Sequence, residues 1–208
     1  LPPISSDEVP FSLPDGWVWC RLGDIAYVAS GSTPAQHEFK TEGIPYFKVY
    51  NIVNQKINFR YRPQFINQEI HEKKLKRSQV FANDVLMNIV GPPLGKLAIV
   101  PEYYQEANIN QALVVIRALL YKQTINQYLF VYLSEKSEIN KVETKGVVGQ
   151  DNISLTQSKN FNIVLPPLAE QKAIVEKVDY LMKQIEELEA QIKHRKQLAE
   201  ELMQTVLR

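Results

Sequence analysis

The C-terminal stretch limits what this chain can fold into more than any other. From Leu168 to Leu207 there is no glycine and no proline, and Ile174, Val178, Leu181, Ile185, Leu188, Ile192, Arg195, Ala199, Leu202 and Val206 follow one another at alternating spacings of four and three. That spacing is a heptad seam, apolar at nine of its ten positions, with charged side chains on the remaining faces. Such a helix is about 60 Å long at about 1.5 Å per residue, more than a small domain can cover. The seam therefore calls for a partner helix. Arg195 is costly inside it unless it meets an acidic group or the edge of a bundle, so it is expected to set register or orientation. A long amphipathic helix lying on its own domain is the weaker reading, because so few seam positions are polar.

Pro166 and Pro167 separate this helix from a region of different texture. Residues 1–16, with Pro2, Pro3, Pro10, Pro14 and Gly16, read as an extended linker. Between 17 and 167 short apolar runs alternate with turn residues. Strands are expected at Trp17–Leu22, Ile25–Ala29, Tyr46–Val49, Val85–Ile89, Leu97–Val100, Ala112–Ile116 and Phe161–Leu165, and a helix at Asn126–Ile139. The pattern lacks regular strand-helix alternation, so the fold class is α+β with a mixed or antiparallel sheet, followed by the long coiled-coil helix over 168–208.

Charge separates the segments further. The chain carries 24 Lys and Arg against 23 Asp and Glu, a net of +1 that gives no whole-chain argument for a polyanionic partner. Residues 56–77, however, hold seven basic and two acidic side chains. In this island Lys56, Arg60, Arg62, Lys73, Lys74, Lys76 and Arg77 are interleaved with Phe59, Tyr61 and Phe65, a mixture suited to phosphate neutralisation beside base contact; the bland reading is a solvated face. The lone Cys20 cannot close an intramolecular disulfide and no apolar run is long enough to span a membrane, which points to the cytosol. No basic, apolar leader opens the chain, and a start at Leu1 is expected of a piece of a longer protein.

Catalytic constellations are not found. Gly91-Pro92-Pro93-Leu94-Gly95-Lys96-Leu97 resembles a phosphate loop but has three residues between its glycines instead of four, and Leu97 stands where a Mg²⁺-binding hydroxyl is needed. His71-Glu72-Lys73-Lys74-Leu75 begins like a zinc signature and lacks its second histidine, so no metal site is assigned. Asp15 with Glu72-Lys73-Lys74 is a chance likeness to a nuclease cluster, Cys20 has no nearby His, and no Gly-x-Ser-x-Gly elbow or methyltransferase motif occurs. No catalytic residue is assigned. Recognition or assembly is favoured over chemistry.

Specific words then carry a resemblance. Leu13-Pro14-Asp15-Gly16-Trp17-Val18-Trp19-Cys20-Arg21-Leu22-Gly23-Asp24-Ile25, followed by Ser30-Gly31-Ser32-Thr33-Pro34, resembles the opening of a target-recognition domain from the specificity subunit of type I restriction-modification systems. Ile44-Pro45-Tyr46-Phe47-Lys48, Asn83-Asp84-Val85-Leu86-Met87, Gly95-Lys96, Asn110-Gln111-Ala112 and Gly149-Gln150-Asp151-Asn152-Ile153 are similar to later landmarks, in the same order. Leu165-Pro166-Pro167-Leu168-Ala169-Glu170-Gln171-Lys172-Ala173-Ile174-Val175 resembles the start of the family's spacer helix. The resemblance implies a non-catalytic subunit that reads one half of a bipartite double-stranded DNA target and scaffolds methyltransferase subunits, with the restriction and translocase subunit joining. It implies no cofactor on this chain, with S-adenosylmethionine, ATP and Mg²⁺ on the partner subunits, and no membrane partner. One reader and one helix imply either half of a two-domain chain or a half-size subunit that forms a homodimer through the helix. The competing readings are a coiled-coil module whose globular domain binds protein and, less well supported, an enzyme with an unrecognised active site.

Within that frame Lys48, Tyr50, Asn51, Asn54 and Gln55 are candidate base readers, and Lys56 to Arg77 the phosphate-contacting and variable reading loop. Ser32 and Thr33 offer hydroxyl contacts or merely hold their turn. Lys96 and, more weakly, Lys145 complete the set. Asn110, Gln111, Gln150 and Asn152 are read at least as much as satisfying buried backbone groups as touching DNA.

Overall fold

The computed structural model describes residues 1, 3–135, 137–140 and 152–206. Its strands are β1 (Val18–Arg21), β2 (Ala26–Ser30), β3 (Phe39–Lys40), β4 (Ile44–Phe47), β5 (Ile52–Val53), β6 (Lys56–Ile57) and β7 (Phe65–Ile66), then β8 (Gln79–Phe81), β9 (Val85–Asn88), β10 (Leu97–Ile99), β11 (Glu106–Ile109), β12 (Leu113–Ala118) and β13 (Asn162–Leu165). The helices are α1 (Leu22–Ile25), α2 (Lys122–Ser134), α3 (Ser137–Asn140), α4 (Leu155–Lys159) and α5 (Leu168–Val206). The domain is α+β, as the uneven pattern of apolar runs requires.

An antiparallel sheet in the order β10-β9-β12-β2 forms the middle layer. Its strands are apolar on both faces because both are covered. On one side Val28, Val85, Met87, Val114 and Ile116 join Ile125, Leu129 and Leu133 of α2 with Ile163 of β13 and Val175 of α5. On the other, Ala29, Leu86, Leu113 and Val115 meet Phe47, Val80, Ala107 and Ile109. Those last four belong to a second sheet, β3-β7-β4-β11-β8, which is mixed because β4 and β11 run parallel. The outer face of this second sheet carries Tyr46, Ile66 and Leu75, with Ile70 packed against them. Ile70 and Leu75 thus root the basic island on the sheet.

All seven expected strands and the helix are present, with strand ends within two residues of expectation and helix ends shifted by four and five. The strands missed are mostly pairs of residues, β3, β5, β6 and β7, too short for any alternation to register. The segment expected as a linker is extended but not detached. Arg21 of β1 donates to the Glu8 carboxylate at 2.7 and 2.9 Å, and Phe11 packs edge-on to Trp19 at 5.2 Å. The Ser5 backbone N–H and the Arg21 guanidinium together pull the Glu8 carboxyl down to about 2. At the other end, Gln171 donates to the Pro166 carbonyl and Trp17 Nε1 to the Glu170 carboxylate, fixing how α5 leaves the domain.

Candidate nucleic-acid interface

Two turns locked together, one at the end of β2 and one joining β11 to β12, form the centre of the candidate surface. A Cβ on Gly31 would lie 2.1 Å from the Ile109 carbonyl oxygen, so only glycine lets the chain after β2 press against residues 109–110. Gly31 N–H donates to the Leu113 carbonyl and Leu113 N–H to that of Asn110, closing the second turn. Tyr46, buried on β4, donates from its hydroxyl to the Ser32 carbonyl at 2.9 Å, and burial pushes that phenol up to about 12. The Thr33 hydroxyl donates to Gln111 Oε1. Arg77 Nη2 reaches Ser32 Oγ at 3.4 Å, while the Arg77 carbonyl accepts from the Tyr27 hydroxyl at 2.7 Å. Lys48 lies alongside, its Nζ 5.3 Å above the Phe39 ring, which in turn meets Tyr46 edge-on. Partial burial lowers the Lys48 ammonium below the usual lysine range. The structure therefore gathers Ser32, Thr33, Lys48 and Arg77, and adds Gln111. The sequence leaves Gln111 open between satisfying buried backbone groups and touching DNA; it is exposed, its amide oxygen held by Thr33.

A second group surrounds the β5-β6 hairpin. Asn54 and Gln55 form its two-residue loop with φ of 50° and 58°, the left-handed pair of a type I′ turn, whose twist matches the strands it joins. Both side chains are exposed and share a groove with Tyr50 and Lys96. Gly95 favours glycine there, since its φ is +68° and a Cβ would meet the Ile139 side chain at 2.5 Å. Tyr50 donates to the Arg62 carbonyl and meets Tyr61 edge-on, and the Arg62 guanidinium lies 5.3 Å from the Tyr61 ring. Asn51 is a correction to the sequence reading. It is fully buried, its Oδ1 accepts from Lys48 N–H, and its Nδ2 donates to the Asn58 and Tyr61 carbonyls. With every polar group spent on backbone, it holds the loop in place and cannot reach a base.

The island itself divides into paired and unpaired cations. Lys73 is held by Glu69 at 3.1 Å, Lys74 by Glu38 at 2.6 Å and Lys56, loosely, by Glu186 of α5 at 3.4 Å. The Lys74 ammonium and the Ala35 N–H hold the Glu38 carboxyl below its ordinary value. Arg60, Arg62, Lys76 and Arg77, with Lys48 and Lys96, have no carboxylate partner among the described residues. His71 is buried within the island, Nδ1 2.5 Å from Asn108 Oδ1 and Nε2 3.4 Å from the Glu106 carboxylate. Its neighbours anchor the loop, and no cluster of three potential metal-binding side chains occurs among the described residues. Lys145 and Gln150 lie outside the described residues.

On α5, Ile174 and Val178 are half-buried against the domain, whereas Leu181, Ile185, Leu188, Ile192, Arg195, Ala199 and Leu202 are exposed. Met182, Leu198 and Met203 widen the open apolar strip. Val206 closes the helix.

The arrangement is that of an α+β domain carrying a long, open helix, and a family model places it. The type I restriction modification DNA specificity domain matches residues 14–195, and the chain belongs to that family. The specificity subunit of the type I restriction enzyme EcoAI from Escherichia coli is 29% identical over 201 residues, covering 95% of this chain and 33% of that protein. The EcoBI specificity subunit, also from Escherichia coli, is 29% identical over 210 residues, 98% of this chain and 43% of that one. The chain thus spans between a third and less than half of these relatives. Among solved structures, the HsdS subunit from Thermoanaerobacter tengcongensis has the same fold, with a TM-score of 0.65 at 23% identity over 86% of this chain and 40% of that one. A chain from a type I R-M system solved for its complex assembly and conformational transition superposes with a TM-score of 0.69, again at 23% identity over 86% of this chain and 41% of its own length. Among the described residues no helix is long and apolar enough to cross a membrane.

Proposed function

We propose that this chain reads one half of a bipartite double-stranded DNA sequence, without catalysis of its own, for a type I restriction-modification complex in the cytoplasm. The observation that carries the reading is the concentration of unpaired cations Lys48, Arg60, Arg62, Lys76, Arg77 and Lys96 beside exposed amides and Tyr61, on a domain of the specificity family. Cations without carboxylate partners are free to replace the counterions of a DNA backbone, while amides and guanidinium groups suit base edges. In this reading S-adenosylmethionine, ATP and Mg²⁺ belong to the methyltransferase and restriction subunits, and this chain supplies the address.

The exposed strip on α5 pairs with a second helix, from another copy or from the other half of a longer subunit, and sets the distance between two readers. About 58 Å of helix supports that role. Two copies of one reader would select a symmetric site. The test is co-expression with the methyltransferase subunits of the same system. The complex is expected to methylate adenine in one bipartite sequence, and the purified chain alone to methylate nothing. A chain that neither co-purifies with a methyltransferase nor binds duplex DNA is instead a protein-interaction module.

A further inference from the structure

We propose that Gln111 and Arg77 are the base-reading pair of this domain, Gln111 taking an adenine edge and Arg77 a guanine edge in the major groove. The proposal rests on the DNA-recognition reading above and names which of its many polar side chains carry sequence information.

Direct readout needs a side chain of matching hydrogen-bond pattern, exposed, with groups left over, and held so that little freedom is lost on contact. Most exposed candidates fail one of these. Asn54 and Gln55 sit at a hairpin tip with no side-chain hydrogen bond, Lys73 and Lys74 are engaged by carboxylates, and Asn51 is buried. Gln111 and Arg77 pass. They are anchored on adjacent residues, Gln111 through its Oε1 on the Thr33 hydroxyl and Arg77 through one Nη2 hydrogen on Ser32 Oγ.

What remains free matches the two purines. Thr33 occupies one lone pair of Gln111 Oε1, leaving the other for an adenine N6 amino hydrogen and both Nε2 hydrogens for N7. Arg77 keeps most of its five donors, enough for the O6 and N7 pair of guanine. The base beneath them is stiff: Gly31 fits without a side chain against Ile109 and Asn110, Tyr46 ties the Ser32 carbonyl, and Tyr27 ties the Arg77 carbonyl. Tyr46 and Tyr27 come from strands of different sheets, so the pair is referenced to the core and not to a single loop.

The test is selection of duplexes from a randomised double-stranded DNA library by the full chain, with the enriched sequence read for each variant and thermal midpoints measured alongside. Gln111→Ala is expected to relax one adenine position by about five- to hundredfold while the other positions and the salt dependence persist. Gln111→Glu should move that position toward cytosine, whose N4 amino group donates to a carboxylate. Thr33→Val, which leaves Gln111 in place without its anchor, should weaken the same adenine preference. Arg77→Ala should relax one guanine position, whereas Lys76→Ala should lower affinity evenly across sequences. An unchanged enriched sequence in Gln111→Ala and Arg77→Ala overturns the assignment while leaving DNA recognition intact. Absence of any duplex binding by the unmodified chain, both alone and together with the methyltransferase subunits of the same system, overturns both.

Discussion

Asn51 and Gln111 differ in what their side chains can reach, and the reason is burial. Asn51 follows a strand and precedes a basic run, the context of a reader, yet its amide closes the backbone of residues 48–61. Replacing it with Leu leaves two carbonyls and one N–H unpaired, with an expected loss of about 1–3 kcal/mol in urea unfolding. Gln111 sits in a turn just before the apolar strand β12, where an amide ordinarily serves backbone; its exposure and its contact with Thr33 show it facing outward. Pairing is equally invisible in a sequence. Of the seven island cations, Lys73 and Lys74 are neutralised by Glu69 and Glu38. Arg60→Ala, Arg62→Ala and Lys76→Ala should therefore each reduce the slope of log affinity against log salt by about one. Lys73→Ala should leave it nearly unchanged, and an equal effect at Lys73 would show that its ion pair opens on binding.

Elements with a strong period were legible and those without one were not. β9, β10 and β12 were found because sheets covered on both faces need continuous apolar runs. β11 was missed because it reads Glu-Ala-Asn-Ile, and its buried Asn108 is acceptable only because the Leu75 carbonyl and Ser78 hydroxyl accept from it and His71 meets its Oδ1. The first sixteen residues read as an extended linker because nothing local shows the Arg21 side chain waiting for Glu8. The Glu8 carboxyl is lowered to about 2 from an ordinary value of 4.5, so its contribution is complete above 4.5 and fades as pH falls through 2. Glu8→Gln should therefore lower the thermal midpoint at neutral pH and match the unmodified chain near pH 2. A difference that stays constant over that interval would separate the effect from the ion pair. In α5, Leu188→Asn is expected to shift the chain toward monomer in light scattering without loss of the domain's own fold, since Leu188 touches none of the core. Inserting seven residues near Gln191 should lengthen the preferred gap between half-sites, and an unchanged gap would remove the helix as the ruler.

At the scale of the molecule, a net charge of +1 coexists with the basic island over residues 56–77 because the remaining segments compensate it. In the proposed complex the chain need not hold DNA alone, because methyltransferase subunits on the same duplex would share the nonspecific grip. One face of the middle sheet carries the α2 and α5 layer, and the other carries the second sheet. The order of family-like words along the chain made the class legible, while the bases read depend on which side chains reach the surface. Long-read methylation profiling of cells that express the methyltransferase subunits with and without this chain measures that function directly. The expected result is adenine methylation at one bipartite sequence only when the chain is present, with one half of that sequence altered by Gln111→Glu. A methylation pattern indifferent to the presence of the chain would contradict its role as the DNA-reading subunit.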